Sequence, residues 1–286
     1  MQKESAVSAM SAVGESGGVK FLQRVFTSAL LIGATAYILF FTNVLIFSLE
    51  LAFFVGAALF EFLNLLRKAN VHVYRLFGVV MGVSIPLLVT MELGLTQSGE
   101  VLFIVLGCLS LFLLQFFHKD SSQALVGIAL TLFGILYISW FLSFVIKIRF
   151  LEGGAVWVAY LVAVTKAADI GAYVVGTWFG RHSLIPHISP KKTVEGTLGG
   201  LSLSVLVSLA LGPYLPVTLP VWHLLALGFL IGVVGQIGDL SESLMKRFCS
   251  AKDSGSALPG MGGFLDAVDS ILFTAPIFYF HLKVIL

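Results

Sequence analysis

The chain has 286 residues, 58% of them apolar and 11% charged, with a mean hydropathy of +1.01. That balance excludes a water-soluble domain and matches about nine bilayer-spanning helices of roughly 20 apolar residues each. The two cysteines, Cys108 in an apolar run and Cys249 in a Lys/Arg-flanked loop, exclude a disulfide scaffold or zinc framework, and a net charge of +2 gives no general attraction to nucleic acid.

Residues 1–19 are small and polar without an apolar stretch of signal-peptide length, so a disordered cytoplasmic tail is expected, followed by a single transmembrane domain over 20–286. The apolar runs fall at 25–43, 46–66, 76–94, 101–117, 123–146, 155–178, 197–217, 221–240 and 264–284. They are continuously apolar and do not alternate as barrel strands would, so the expected fold is an all-α polytopic integral membrane protein. With the N-terminus on the cytoplasmic side, 13 of the 17 Lys and Arg fall in cytoplasmic segments. The exceptions are Lys147, Arg149 and Lys283 on the opposite side and Lys166 within a span. This orientation puts the two longest polar loops, 179–196 and 241–263, on the same cytoplasmic face. Glu50 and Glu61, in or near the second span, read as interfacial or helix-paired carboxylates and receive no role. No internal repeat and no matched pair of Gly/Pro-broken spans is found, which weakens a transporter reading.

Chemistry concentrates in 166–270. Seven of the 15 acidic residues lie between 169 and 269 (Asp169, Glu195, Asp239, Glu242, Asp253, Asp266, Asp269), with six of the 17 basic ones (Arg181, Lys191, Lys192, Lys246, Arg247, Lys252). Charges at the ends of apolar helices are costly unless each has a partner or ligand. Lys166 and Asp169 share a helix face at i, i+3, either as a structural ion pair or with Asp169 facing a polar cavity. Gly171, Gly176 and Gly180 allow a helix or a ligand to approach closely. In SPKKT (189–193), Pro190 restrains a turn while Lys191, Lys192, Ser189 and Thr193 suit a polyphosphate; a headgroup anchor would need neither Glu195 nor the glycines Gly196, Gly199 and Gly200. Asp239, Glu242 or Ser243, and Lys246 fall along one helix face, with Asp239 at the end of an apolar run, a depth that makes it a metal-ligand candidate. Gly255, Gly260, Gly262 and Gly263 form a loop whose N–H groups can turn toward phosphate oxygens. Asp266 and Asp269 follow at i, i+3; capping of the last helix would need one acid, whereas two like charges call for a cation between them.

The stretch SLMKRFCSAKDSGSALPGMGGFLDAVD (243–269) resembles the signature of the phosphatidate cytidylyltransferases, also called CDP-diacylglycerol synthases. The matching positions are Ser243, Lys246, Arg247, Lys252, Asp253, Gly255, Leu258, Pro259, Gly262, Gly263, Asp266 and Asp269. The likeness extends to Asp169–Gly171, to 189–196 and to Gln236, Gly238, Asp239, Glu242 and Ser243, while the N-terminal half is similar only in being apolar. Two positions depart from the pattern: Met261 stands where the family usually has His, and Ala267 where it usually has Arg.

The resemblance implies that CTP and phosphatidate react to CDP-diacylglycerol and pyrophosphate in phospholipid biosynthesis, at a cytoplasmic site of a bacterial inner (cell) membrane. It implies Mg²⁺ on Asp239 and Asp266, with Asp269 orienting the metal shell, and leaves room for a second cation. Asp239, Asp266, Asp269 and Lys252 form the expected catalytic set. Lys191, Lys192, Ser243, Lys246, Arg247, Gly262, Gly263 and Asp169 are expected to hold substrate phosphates. Phosphatidate would enter sideways from the bilayer, its acyl chains remaining in lipid. The partners expected are these two substrates and the lipid bilayer, no nucleic acid, with a homodimer left open. The competing readings are a CTP-dependent polyprenol or phytol kinase, which would transfer the γ-phosphoryl group, and a non-enzymatic transporter, which leaves the clustered charges unexplained.

Overall fold

The computed structural model describes residues 27–91, 97–117, 122–260 and 262–286. The expected tail at 1–19, the charges at Lys3, Lys20, Arg24 and Lys119, and the departure at Met261 lie outside the described residues. In chain order the helices are α1 (Thr27–Phe41), α2 (Val44–Lys68), α3 (Arg75–Thr90), α4 (Gln97–Phe116), α5 (Ala124–Gly134), α6 (Phe141–Arg149), α7 (Gly154–Phe179), α8 (Val194–Leu211), α9 (Val221–Phe248) and α10 (Phe264–Ile285). A π-helical turn, Ile135–Trp140, joins α5 to α6 in one rod, Ala124–Arg149. Among the described residues seven helical rods are long and apolar enough to cross a bilayer. The chain is therefore an all-α integral membrane protein. The 16 residues of α3 rise only about 24 Å as a helix, less than a hydrocarbon core of about 30 Å, and α1 is similarly short.

Local sequence accounts for the helix ends. Asn43 caps α2 by accepting from Ile46 N (2.9 Å), and Thr193 Oγ1 caps α8 by accepting from Gly196 N (3.1 Å). Lys246 and Arg247 sit in the last turn of α9, where the helix dipole favours cations. At the far end of the bundle Lys147 belongs to α6 and pairs with Glu100 of α4 at 2.7 Å, so this exception to the charge bias is neutralised within the protein.

The 179–196 loop holds a structure that the sequence reading did not expect. Ser183–Ile185 (β1) and Ser189–Thr193 (β2) pair antiparallel, with Ser183 opposite Thr193 and Ile185 opposite Ser189. SPKKT is thus a strand and not a turn. Glu195 ties the hairpin's start to α8 by accepting from Arg181 N (3.0 Å) and His182 N (3.2 Å) and by pairing with His182 Nδ1 (2.6 Å). Arg247 Nε donates to Ile188 O at 3.1 Å and docks the hairpin on the end of α9.

Two apolar clusters hold the bundle together. Trp157, Tyr160, Leu227, Ile231 and Phe278 form one, and Leu59, Phe62, Tyr137, Ile138, Leu265 and Leu272 the other. α10 contributes to both, which places it between α2 and α6 on one side and α7 and α9 on the other. Close backbone contact fixes the polar end. A Cβ on Gly171 would lie 2.7 Å from Gly199 O, so this glycine serves the contact of α7 with α8. A Cβ on Gly238 would lie 2.6 Å from Asp269 O, so Gly238 lets α9 meet α10 where both carry carboxylates.

Candidate active site

The polar residues of α7, α9, α10, β2 and the 252–263 loop converge at one end of the bundle. Oxygens of Asp239, Glu242 and Asp269 lie within 4.8 Å of one another. Asp239 and Glu242 are one helical turn apart on α9, and Asp269 reaches them from α10 across the contact at Gly238. Glu242 is 1% exposed, and its Oε1 has no hydrogen-bond partner among the described residues. A buried carboxylate oxygen left without a donor costs about 1–3 kcal/mol or more, and a bound cation removes that penalty.

Around this cluster the cations are arranged in pairs. Lys192 of β2 meets Asp239 at 2.6 Å. Lys246 bridges Glu242 (2.5 Å) and Asp266 (2.7 Å). On α7, Lys166 Nζ donates to Asp169 Oδ2 (3.1 Å) and to Ser270 Oγ (3.0 Å), and Ser270 Oγ donates to the same Asp169 oxygen (3.0 Å). The ion-pair reading of Lys166 and Asp169 is therefore observed, and it is linked to α10 one residue beyond Asp269. Asp169, Asp239, Glu242, Asp266 and Asp269 outnumber Lys166, Lys192 and Lys246. The excess of negative charge suits a divalent cation, and an oxygen-only donor set suits a hard one such as Mg²⁺.

Of the carboxylates expected at a metal, the structure groups Asp239 and Asp269 with Glu242, and Asp266 stands beside them. Asp266 is tied to its own loop through Oδ2, which accepts from Gly263 N (2.7 Å), Ser254 N (3.0 Å) and Ser254 Oγ (2.8 Å), and to the edge of the cluster through Oδ1, which accepts from Lys246, the ammonium that also meets Glu242. As the third residue of α10 it caps the helix, the bland reading that its position allowed. Its neighbour at i+3, Asp269, looks into the cluster instead.

The glycine amides also differ from expectation. Gly262 N donates to Leu258 O (3.1 Å) and Gly263 N to Asp266, so both shape the loop from within. Gly262 has φ +97°, in the left-handed region that glycine tolerates. Lys191 points away from Lys192, as successive strand residues do, and is exposed; Lys252 and Arg247 are exposed too, and Ser243 is half-buried on α9.

Glu61 of α2 was given no role from sequence, yet it belongs here. Its Oε2 accepts from Leu265 N (3.0 Å) and lies 3.1 Å from Ser254 Oγ, so it holds both the loop and the start of α10. The available signal was a carboxylate inside an apolar span with no base three or four residues away on the same face.

Residues 22–285 match the family described as "Cytidylyltransferase family". The chain belongs to the cytidylyltransferase family. It is 33% identical to the phosphatidate cytidylyltransferase of Synechocystis sp. over 92% of this chain and 97% of that protein. It is 40% identical to the phosphatidate cytidylyltransferase of Bacillus subtilis over 51% of this chain and 55% of that one. It is also 39% identical to YnbB of Escherichia coli over 58% of this chain and 55% of YnbB, so it spans only about half the length of these last two relatives. Within the cytidylyltransferase family frame, the matched region takes in every element of the carboxylate site, Glu61 included.

Proposed function

We propose that the protein is a phosphatidate cytidylyltransferase that transfers CMP from CTP to phosphatidate, yielding CDP-diacylglycerol and pyrophosphate in phospholipid biosynthesis. The observation that carries the reading is the cluster of half-buried Asp239 with buried Glu242 and Asp269, bordered by Lys192 and Lys246, at the polar end of a bundle of membrane helices. A phosphate-rich nucleotide and a lipid phosphate need just such a mixture of cation sites and ammonium groups.

An oxygen of the lipid phosphate bonds to the α-phosphorus of CTP while the bond from that phosphorus to the β-phosphate oxygen breaks, and pyrophosphate leaves with the electron pair. The nucleophile is a phosphate monoester with a second pKa near 6, largely dianionic at neutral pH, so no side chain has to remove a proton. Asp239, Glu242 and Asp269 would hold Mg²⁺, which when bound neutralises the charge of the triphosphate. Lys192 and Lys246, which pair with Asp239, Glu242 and Asp266, are the ammonium groups at the cluster and would hold phosphate oxygens of the substrates. Lys191, Arg247 and Lys252, all exposed, attract the triphosphate and the leaving pyrophosphate. Asp266 and Glu61 position the loop and Lys246. Lys166 and Asp169 brace Ser270, next to Asp269.

In this reading the nine apolar segments sit in a cell membrane with residues 1–19 as a cytoplasmic tail, a single catalytic domain over 20–286 and the site facing the cytoplasm. Purified protein with radiolabelled CTP, phosphatidate and Mg²⁺ tests the activity: label in the lipid phase and pyrophosphate in the aqueous phase are expected. Release of CDP in place of pyrophosphate would identify a kinase and overturn the proposal. Orientation is checked with Ser183→Cys, Ser256→Cys and Thr218→Cys, all at exposed positions. The first two should react with an impermeant thiol reagent from the cytoplasmic side and the third from the other; labelling of Ser183→Cys and Ser256→Cys from opposite sides would break the shared site.

A further inference from the structure

The rod Ala124–Arg149 departs from α-helix only at Ile135–Trp140, and the wider π-turn changes where its side chains point. Tyr137 lies in the middle of that turn. Its ring is stacked on Phe133 (centroids 5.3 Å apart, 8° between planes) and meets Phe141 and Phe273 edge-on at 6.0 and 5.6 Å. The side chain is 3% exposed, and its hydroxyl has no hydrogen-bond partner among the described residues. A buried tyrosine hydroxyl normally finds one. Tyr137 packs in one cluster with Val268 and Leu272 of α10, on either side of Asp269, and shares a groove with Ser241 and Leu244 of α9, on either side of Glu242, so it lies against the stretches of helix that carry two of the cluster's carboxylates.

The same tyrosine lines a groove of about 390 Å³ whose other walls include Leu136 and Trp140 of the π-turn, Leu244 and Met245 of α9, and Phe273 of α10. The lining is almost wholly apolar. Leu244 is 54% exposed, so the groove opens at the surface of the bundle, while its inner side is formed by the helices that carry Glu242 and Asp269. A groove that opens at the apolar surface of a membrane protein and is flanked by the helix stretches carrying Glu242 and Asp269 fits a ligand with a hydrocarbon chain at one end and a phosphate at the other.

Resting on the function proposed above, we infer that this groove seats an acyl chain of the lipid substrate and that the Tyr137 hydroxyl donates a hydrogen bond to an oxygen of that lipid's headgroup. Tyr137 is then a positioning residue for the lipid and has no contact with the nucleotide. Because the ring is held on three sides by Phe133, Phe141 and Phe273, Tyr137→Phe removes the donor and leaves the packing. Leu244→Trp, at an exposed position, narrows the groove.

The test uses purified full-length protein and two readouts. In steady-state transfer of CMP, Tyr137→Phe should raise KM for phosphatidate by about tenfold or more, the size expected for losing a hydrogen bond to an ionic acceptor, with KM for CTP held within twofold. Leu244→Trp should raise the ratio of KM for a long-chain over a short-chain phosphatidate. Without CTP, a phosphatidate bearing a diazirine on one acyl chain should label Leu244, Met245 or Phe273 on illumination, and label them less in Tyr137→Phe. Labelling confined to other faces of the bundle, or a Tyr137→Phe enzyme with both KM values unchanged or raised together, overturns the inference while CMP transfer by the unsubstituted protein still upholds the function. Absence of CMP transfer by the unsubstituted protein overturns the function, and this inference with it.

Discussion

Polar groups behave differently in the two halves of the molecule. In α2 to α5 many close on their own helix: Ser48 Oγ donates to Val44 O (2.8 Å), Thr90 Oγ1 to Pro86 O (2.8 Å), Ser110 Oγ to Leu106 O (2.7 Å) and Thr131 Oγ1 to Gly127 O (2.7 Å). Such bonds satisfy a hydroxyl within the bilayer without specifying a neighbour. In α7 to α10 hydroxyls such as those of Thr177 and Ser241 do the same, but charged side chains there also cross between elements, as in Lys166 to Ser270, Lys192 to Asp239 and Lys246 to Asp266. One half is an apolar frame, and the other is a charged site that the frame must hold in register. Glu61 and Tyr137 are the exceptions, frame residues whose polar atoms face the site.

The sharpest way to break this contrast is to neutralise the cluster. Asp239→Asn, Glu242→Gln and Asp269→Asn should each lower CMP transfer by about a thousandfold or more, because a lost metal carboxylate removes several kcal/mol of transition-state stabilisation. Detergent-solubilised yield and elution volume should stay as in the unsubstituted protein, since a neutral isostere also relieves like-charge repulsion. Activity within tenfold for all three would refute the metal assignment. Gly238→Ala comes next. Its methyl group meets Asp269 O, and the forced separation of α9 from α10 should cost about 1–3 kcal/mol and move the two carboxylate groups apart. A fall in transfer that added Mg²⁺ partly reverses is expected, and an unchanged Mg²⁺ dependence would show that this helix contact does not set the cluster.

Helix placement was legible in the sequence because runs of apolar residues are all that a bilayer requires: each expected run overlaps a helix, although α9 continues to Phe248, past the apolar run that ends at 240, because its last turns are polar. The hairpin was not, since strands of three and five residues in a charged loop carry no readable alternation. Spacing placed Asp266 and Asp269 on one face of α10, but which of them meets α9 depends on rotation and on the loop that captures Asp266. Glu242 lay on the face read for Asp239 and Lys246, yet only the packing at Gly238 turns that face into a three-carboxylate site. Glu61 lies 193 residues from Ser254, a distance that no local pattern bridges. Tyr137 depends on a π-turn that its apolar surroundings do not announce.

Glu61→Gln sharpens the role of the frame. The amide keeps an acceptor oxygen for Leu265 N but loses the charge that strengthens both contacts, a change of about 1–2 kcal/mol. Hydrogen exchange should quicken in 252–263 and at the start of α10, with transfer reduced by about tenfold and no change at α1 or α4. Uniformly faster exchange across all helices would mean that Glu61 supports the bundle as a whole and not the site.

The smallest effect is expected at Met261, where the family's usual histidine is missing. If phosphatidate reaches the site already ionised, a base at this position has nothing to remove, and Met261→His should change kcat by less than about tenfold, with no new limb in the pH–rate profile. Ala267→Arg is a different kind of change. Between Asp266 and Asp269 on α10, a guanidinium can pair bidentately with a phosphate, so KM for CTP or phosphatidate should fall while kcat stays nearly constant. Both variants are followed as CMP incorporation into lipid from mildly acid to mildly alkaline pH. An unsubstituted protein inactive at every pH, with turnover restored by Met261→His, would show that the reaction needs the base after all and that the charged half of this chain keeps the site without the activity.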